Sequence, residues 1–252
     1  CGDLSGDNFR PDITIFVNGL PLAFIEVKKE NNHEGIDAER NRMKTRFANP
    51  CFRRYLNITQ IMVFSNDMEY DEQLKQGAYY ATIGKTDTLY NCFREEGQDS
   101  FPIQKRYNTV SAEDEEILLR DNNVPQYKNN SEYKTNCKVE TPTKRICESL
   151  FSFERFYFFL RYGIAYVDHP NGLQKHIMRY PQVFATKSIE RHLDKEERKG
   201  IIWHTQGSGK TALAYFNVKY LTDYYSGQGI VPQFFFIVDR IDLLEQAQKE
   251  FT

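Results

Sequence analysis

The stretch PDITIFVNGLPLAFIEVKK, residues 11–29, decides how the first part of this chain is read. Two apolar runs flank Asn18-Gly19, a dipeptide suited to the positive φ angles of a two-residue hairpin turn. The pattern predicts strands over 12–17 and 22–28. Asp12 sits near the start of the first strand, and Glu26 and Lys28 near the end of the second. Residues two apart on a strand share a face, so Glu26 and Lys28 point the same way and the turn brings Asp12 opposite them. A carboxylate inside a run as apolar as LAFIEV needs a partner, a metal or a lysine. The competing reading is an amphipathic hairpin with solvated charges, the ordinary state of antiparallel ribbons.

The chemistry favoured by the trio is metal-assisted cleavage of a phosphodiester. Asp12 and Glu26 are the expected ligands of Mg²⁺, a hard ion that takes oxygen donors and keeps several waters. The backbone carbonyl of Val27 is a candidate third ligand. Lys28 then orients or deprotonates the attacking water and steadies the charge that develops in the transition state. A helix predicted over 33–47 follows and runs into a basic stretch, RNRMKTRFANPCFRR at 40–54, that holds no acidic residue. Arg42 and Arg46 lie one turn apart on it and are candidate contacts to a phosphate backbone. A solvated helix balanced by Glu34, Asp37 and Glu39 is the alternative. The net charge of −2 excludes a protein coated in positive charge but not a local basic stripe.

Near the other end, HTQGSGKT at 204–211 follows the apolar run Ile201 to Trp203 and opens a helical pattern, the setting a phosphate-binding loop requires. Gly207, Ser208 and Gly209 let backbone N–H groups curl around phosphates at the positive end of a helix. Lys210 supplies a point charge and Thr211 a hydroxyl ligand for Mg²⁺. His204 stands where the longer form of the motif has its first glycine. Gln182, on a helix predicted over 181–193, is a candidate reader of adenine, because an amide pairs with both a donor and an acceptor. Arg240 is a candidate nucleic-acid contact.

Between these sites the pattern predicts strands over 57–65 and 78–84, a polar linker or insertion from about 95 to 145 with one helix at 112–120, and an apolar helix over 148–163. Phe151, Phe156 and Phe159 recur on it at helical spacing and read as core. Short strands at 163–169 and 173–180 come next. Near-continuous apolar strands at 199–205 and 232–239, each followed by a helix (211–225 and 240–251), predict a parallel α/β sheet. At 252 residues, 40% hydrophobic and 14% aromatic, the chain has core enough for one large domain or two ordinary ones. Five scattered cysteines with no C-x-x-C pair suggest neither a disulfide framework nor a zinc site, and fit the reducing cytoplasm. No apolar run is long enough to span a bilayer. Cys1 at the start and a helical pattern interrupted at KEFT suggest a piece of a longer chain. No D-E-x-[HD] segment follows the phosphate loop, so the piece is expected to hold nucleotide but to hydrolyse it poorly.

A P-D…E-x-K hairpin followed by a helicase-type phosphate loop resembles the R subunit of type I restriction enzymes. The segments PDITIFVNGLPLAFIEVKK, MRYPQVFATKSIERH and GIIWHTQGSGKT carry the resemblance, over roughly 8–66 and 145–252. It implies an α/β chain with a restriction-endonuclease-like nuclease domain over 1–95, truncated at its start. A polar insertion and helical connector occupy 96–160, and an incomplete RecA-like parallel-sheet motor lobe 161–252. It implies ATP-driven translocation along double-stranded DNA coupled to Mg²⁺-dependent cleavage, with methylation (M) and specificity (S) subunits as partners. Asp12, Glu26 and Lys28 match the nuclease motif, Gln182 the adenine contact, and Gly207 to Thr211 the phosphate loop. Another nuclease–helicase, such as a type III restriction or recombination enzyme, or a DNA motor with an inert nuclease-like domain, remains open. One departure is plain: the Q-x-x-x-Y helix common in these nucleases is absent. Met43 and Phe47 keep its spacing without its polar chemistry.

Overall fold

The computed structural model describes residues 8–28, 35–67, 78–82, 90–97, 110–137, 141–168 and 174–238. The helix expected at 240–251 and Arg240 lie outside them. The chain falls into two compact units, one drawn from the spans 1–80 and 92–156, the other from 81–91 and 157–252.

The first unit is organised by the hairpin. Strands β1 (Ile13–Val17) and β2 (Leu20–Val27) pair antiparallel, with Val17 opposite Leu20 and Ile13 opposite Ile25. Asn18 and Gly19 both take positive φ, 50° and 79°, as a two-residue turn of this kind demands. Helix α1 (Gly35–Ala48) then carries the chain across, and a 3₁₀ turn (Pro50–Phe52) and short helix α2 (Arg53–Ile58) return it to β3 (Ile61–Ser65). β3 runs parallel to β2, Glu26 lying opposite Phe64. The strand expected from 57 therefore starts later. Residues 57 and 58 end a helix, and Thr59 seals the junction by donating from its hydroxyl to Pro21 O at 3.0 Å.

With β4 (Ala78–Ala81) and β5 (Asn91–Cys92) the sheet has five strands in the order β1-β2-β3-β4-β5. Its centre is dry: Phe24, Ile25, Met62, Phe64 and Met43 of α1 are fully buried. Each contributes about 1.5–3 kcal/mol of apolar transfer. Phe9 packs edge-on against Phe24, Phe52 and Tyr55, which closes an aromatic cluster behind the hairpin.

The polar middle is more ordered than its composition suggests. Helix α3 (Ala112–Asp121) forms where expected, capped by Ser111, whose hydroxyl accepts from Asp114 N at 3.0 Å. A 3₁₀ turn (Pro125–Asn129) and α4 (Ser131–Asn136) follow. The apolar helix expected over 148–163 is three pieces: α5 (Pro142–Phe151), α6 (Phe153–Phe158) and a π-helical turn (Phe159–Gly163). The helix breaks at Ser152, whose extended ψ of 147° leaves the helical region. Phe156 and Phe159 are buried, as the core reading required. Thr143 ties α5 to the end of β3 through its N–H to Asp67 Oδ1 (2.8 Å) and its hydroxyl to Ser65 (2.9 Å).

The second unit contains an antiparallel pair, β6 (Ile164–Val167) with β7 (Gln174–Ile177), and two helices, α7 (Tyr180–Asp194) and α8 (Lys210–Ser226). Here two sequence expectations fail. Residues 199–205 and 232–238 form no strand, and Trp203 and Phe235 are 91% and 83% exposed. A buried parallel strand needs hydrogen-bonding neighbours on its edges, and no described residue pairs with either run. The sheet of the first unit contains a parallel pairing, β2 with β3. No described helix is long and apolar enough to cross a membrane.

Candidate functional site

Asp12 sits one residue before β1, and its Oδ2 accepts a hydrogen bond from the Val27 amide at 2.8 Å. That bond closes the open end of the hairpin and sets the Asp12 carboxylate beside Glu26. Glu26 and Lys28 share a face, with Lys28 Nζ 3.5 Å from Glu26 Oε2. The structure thus brings the three residues of the sequence motif to one place.

Glu26 is only 4% exposed, and its Oε1 is buried without a hydrogen-bond partner. Burial, then the nearby carboxylates of Glu39 and Asp12, push its pKa up to about 7, against the opposing pull of Lys28 and Arg46. The aromatic cluster behind β2 is the cause of the desolvation, and Arg46 stacks on it, its guanidinium 4.2 Å from the centre of the Phe9 ring. An orphaned carboxylate oxygen in a partly ionised group is a fitting donor for a hard cation, which displaces the proton and takes the lone pair. Among the described residues no three His, Cys, Asp or Glu side chains gather as a metal cluster. Two carboxylates with the remaining positions open to water or phosphate suit Mg²⁺, which is seldom caged by protein alone.

One residue escaped the sequence reading. Glu39, treated there as a solvated counter-charge on a basic helix, is 1% exposed and lies at the centre of the charge network. Its Oε1 accepts from Arg46 Nη1 at 2.8 Å, and its Oε2 meets Arg42 Nη1 at 2.9 Å and Lys28 Nζ at 3.2 Å. The signal was present in the spacing: 39, 42 and 46 fall at i, i+3 and i+7, on one helical face. The same geometry separates the two arginines proposed for DNA. Arg42 is exposed, whereas Arg46 is buried and turned inward on Glu39, away from any phosphate backbone at the surface. Met43 is fully buried and Phe47 half-buried, so among the described side chains of α1 the buried polar groups turned to the hairpin are Glu39 and Arg46.

In the second unit the glycine-rich loop at 204–211 turns through left-handed glycines. Gly207 and Gly209 take φ of 73° and 83°, and Lys210 begins α8 with Thr211 behind it, half-buried. Lys210 Nζ donates to the carbonyls of His204 (3.3 Å) and Thr205 (3.1 Å), so the ammonium lies across the mouth of its own loop. Gln182 is buried, and both ends of its amide are engaged. Its Oε1 accepts from Arg179 N at 2.8 Å, and its Nε2 donates to Gly209 O at 2.9 Å. Rather than facing open space for a base, Gln182 ties the start of α7 to the phosphate loop. Arg179 adds a bond from Nη1 to Gly207 O at 3.3 Å.

Further along, α7 and α8 are braced by Lys187, whose ammonium donates to Glu190 (2.7 Å) and Tyr220 (3.1 Å). An open cavity of about 750 Å³, lined by Tyr180, Phe184, Ile202, Trp203 and His204 among others, lies between α7 and the segment leading into the loop.

Comparison with known proteins fits the two halves separately. The sequence model described as "Type I restriction enzyme R protein N terminus" matches residues 3–71, and that described as "Type III restriction enzyme, res subunit" matches residues 175–252. The putative type I restriction enzyme MjaVIIP endonuclease subunit of Methanocaldococcus jannaschii is 31% identical over 97% of this chain and 19% of its own length. The chain belongs to the type I restriction R-protein family. A second relative in that organism, the putative MjaVIIIP endonuclease subunit, is 26% identical over 95% of the chain and 19% of its own length. The type I restriction enzyme SauCOLORF180P endonuclease subunit of Staphylococcus aureus is 24% identical over 96% of the chain and 20% of its own length. The chain spans about a fifth of the length of the curated relatives it matches. The first match covers the hairpin, α1 and β3, and the second covers α7, the glycine-rich loop and α8.

Proposed function

We propose that this chain carries the nuclease centre and the first nucleotide-binding elements of a type I restriction subunit, which couples ATP-driven translocation on double-stranded DNA to Mg²⁺-dependent cleavage. In this reading the first unit is a restriction-endonuclease-like domain and the second contributes to a RecA-like motor lobe. The observation that carries it is the convergence of Asp12, Glu26 and Lys28 around a buried, unpartnered carboxylate oxygen.

Asp12 and Glu26 would hold Mg²⁺, with the Val27 carbonyl as a further donor. The ion, when bound, polarises the scissile phosphate and lowers the pKa of its water. The Lys28 ammonium stands on the same face and stabilises charge on the phosphoryl oxygens as it develops. Arg42, exposed at the rim, positions the DNA backbone; Arg240 is a further contact in this reading. In the second unit the β- and γ-phosphates of ATP replace the His204 and Thr205 carbonyls as partners of Lys210, and the N–H groups from Gly207 to Thr211 cradle them. Thr211 supplies the hydroxyl for the accompanying Mg²⁺. The cavity at Tyr180 and Phe184 offers the adenine an aromatic surface, and for Gln182 to read the base it would have to release its bonds to Arg179 N and Gly209 O. Methylation and specificity subunits would supply recognition of the DNA site, as the relatives' names as type I restriction enzymes suggest.

The test uses the complete chain with the subunits that co-purify with it. Glu26→Ala is expected to lower Mg²⁺-dependent cleavage of duplex DNA by about 100-fold or more while ATP hydrolysis continues. Lys210→Ala, by loss of charge-assisted phosphate contacts, is expected to weaken ATP binding by about 10- to 100-fold. Cleavage undiminished in Glu26→Ala would sink the nuclease assignment.

A further inference from the structure

The charges around Glu26 form an alternating ring. Glu26 Oε2 faces Lys28 Nζ (3.5 Å), Lys28 faces Glu39 Oε2 (3.2 Å), Glu39 Oε1 faces Arg46 Nη1 (2.8 Å), and Arg46 faces Glu26 Oε1 (3.9 Å). The two contacts to Glu39 are the short ones and the two to Glu26 the long ones. Both cations are therefore held principally by Glu39. Arg46 is within ion-pair range of Glu26 Oε1 yet makes no hydrogen bond to it, and that oxygen is left without a partner. Glu39 does not join Asp12 and Glu26 in a cluster of metal donors; its two oxygens are occupied by three cationic side chains.

We propose that Glu39 is the positioning residue of the hairpin centre. Through Oε2 it fixes the Lys28 ammonium, and through Oε1 it holds Arg46 back, leaving Glu26 Oε1 open to a divalent cation. The inference rests on the nuclease reading above and deepens it. Helix α1 carries no Gln and Tyr at Q-x-x-x-Y spacing, and Glu39 with Arg46 provides the polar contact from α1 to the hairpin. Without the Glu39 charge, Arg46 has one buried carboxylate left within reach, that of Glu26. A guanidinium closing on Oε1 by little more than an ångström makes a charge-assisted bond and competes directly with the metal. Lys28 at the same time loses the shorter of its two anchors.

Two quantities separate this role from simple charge balance: Mg²⁺ affinity, measured by calorimetry on the complete chain, and kcat for DNA cleavage at saturating Mg²⁺. Glu39→Gln is expected to lower both, each by about 10- to 100-fold, the usual effect of removing a group that orients metal ligands. The decisive variant is Glu39→Gln with Arg46→Met, which removes the competing cation together with the anion and keeps the pocket charge-balanced if the single variant folds poorly. It is expected to regain Mg²⁺ affinity but not kcat, because Lys28 is still unanchored. Glu39→Asp, which keeps the charge, is expected to recover part of kcat. Recovery of both quantities in the double variant would reduce Glu39 to a counter-ion for Arg46 and overturn the inference. So would wild-type values in Glu39→Gln while Glu26→Ala remains inactive. Cleavage undiminished in Glu26→Ala would instead remove the nuclease reading beneath it.

Discussion

The hairpin region was legible as a loose motif and the phosphate-loop region as a strong one, and they differ again in how far the described structure completes them. Around the hairpin the inner strands are covered: β2 lies between β1 and β3, and Ala23 to Glu26 are buried together with Met43 of α1, while β1 keeps Ile13, Phe16 and Val17 exposed. Its charged groups are consequently forced into one another, and Glu26 is lifted towards neutrality by that burial. Around the phosphate loop the helices are well braced, but Ile201, Trp203, Phe235 and Ile237 are exposed and no described residue gives either run a strand partner. The loop's carbonyls are bonded by its own Lys210 and by Gln182 of α7. A short motif can thus fold locally in both cases, whereas a buried charge requires the surrounding layer to be present.

The sharpest way to break that contrast is to truncate matched phenylalanines. Phe24→Ala in β2 is expected to cost about 3–5 kcal/mol, as large core deletions do. Phe235→Ala, at a position sequence patterning would have called equally buried, is expected to stay within about 0.5 kcal/mol. Chemical denaturation of the two variants checks this, and a large loss at Phe235 would show that its run is covered in solution.

Next in size is the pH dependence of Glu26 in the absence of metal. Its ordinary pKa of 4.5 rises to about 7 in the folded chain. Between those values the folded state binds more protons than the unfolded state, so stability falls as pH rises through the window and the penalty is complete above it. Glu26→Gln should therefore match the wild type near pH 4 and exceed it at pH 8 by on the order of 3 kcal/mol. Melting curves at the two pH values read the difference, and the same difference at both would mean that folding leaves the Glu26 pKa at its ordinary value.

A smaller effect is expected in the other region. Gly209 has φ of 83°, and an added Cβ would lie 2.6 Å from Gln182 Nε2. Gly209→Ala should cost roughly 1–2 kcal/mol from the left-handed conformation alone and should also detach Gln182 from the loop. Gly207→Ala, where a Cβ meets nothing within 4 Å, carries the conformational cost without the detachment. Weaker nucleotide binding in the first than in the second would assign a role to the Gln182 contact.

Much of the fold could be read ahead of the structure where periodicity and turn chemistry agreed. Asn18-Gly19 between two apolar runs led to β1 and β2, and the helix expected at 112–120 is α3. Reading failed where long-range partners decide. The Ile201–Trp203 and 232–238 runs have the composition of buried strands, but composition cannot supply the neighbour whose N–H and C=O groups make a strand. The helix over 148–163 was read as continuous because apolar spacing persists across Ser152, while the break there is a backbone event of a single residue.

The candidate site divides along the same line. By themselves, the residues of the sequence determined which side chains meet at the hairpin: a strand alternates faces and a two-residue turn fixes register, so Asp12, Glu26 and Lys28 had little freedom to be elsewhere. They likewise determined the glycines and lysine of the phosphate loop, whose geometry is local. Only the tertiary structure decided that α1 turns Glu39 and Arg46 inward while Arg42 stays at the rim, and that Glu26 keeps one oxygen unpaired. Those outcomes depend on which face of α1 the sheet covers, and burial converts ordinary surface charges into a ring that must neutralise itself.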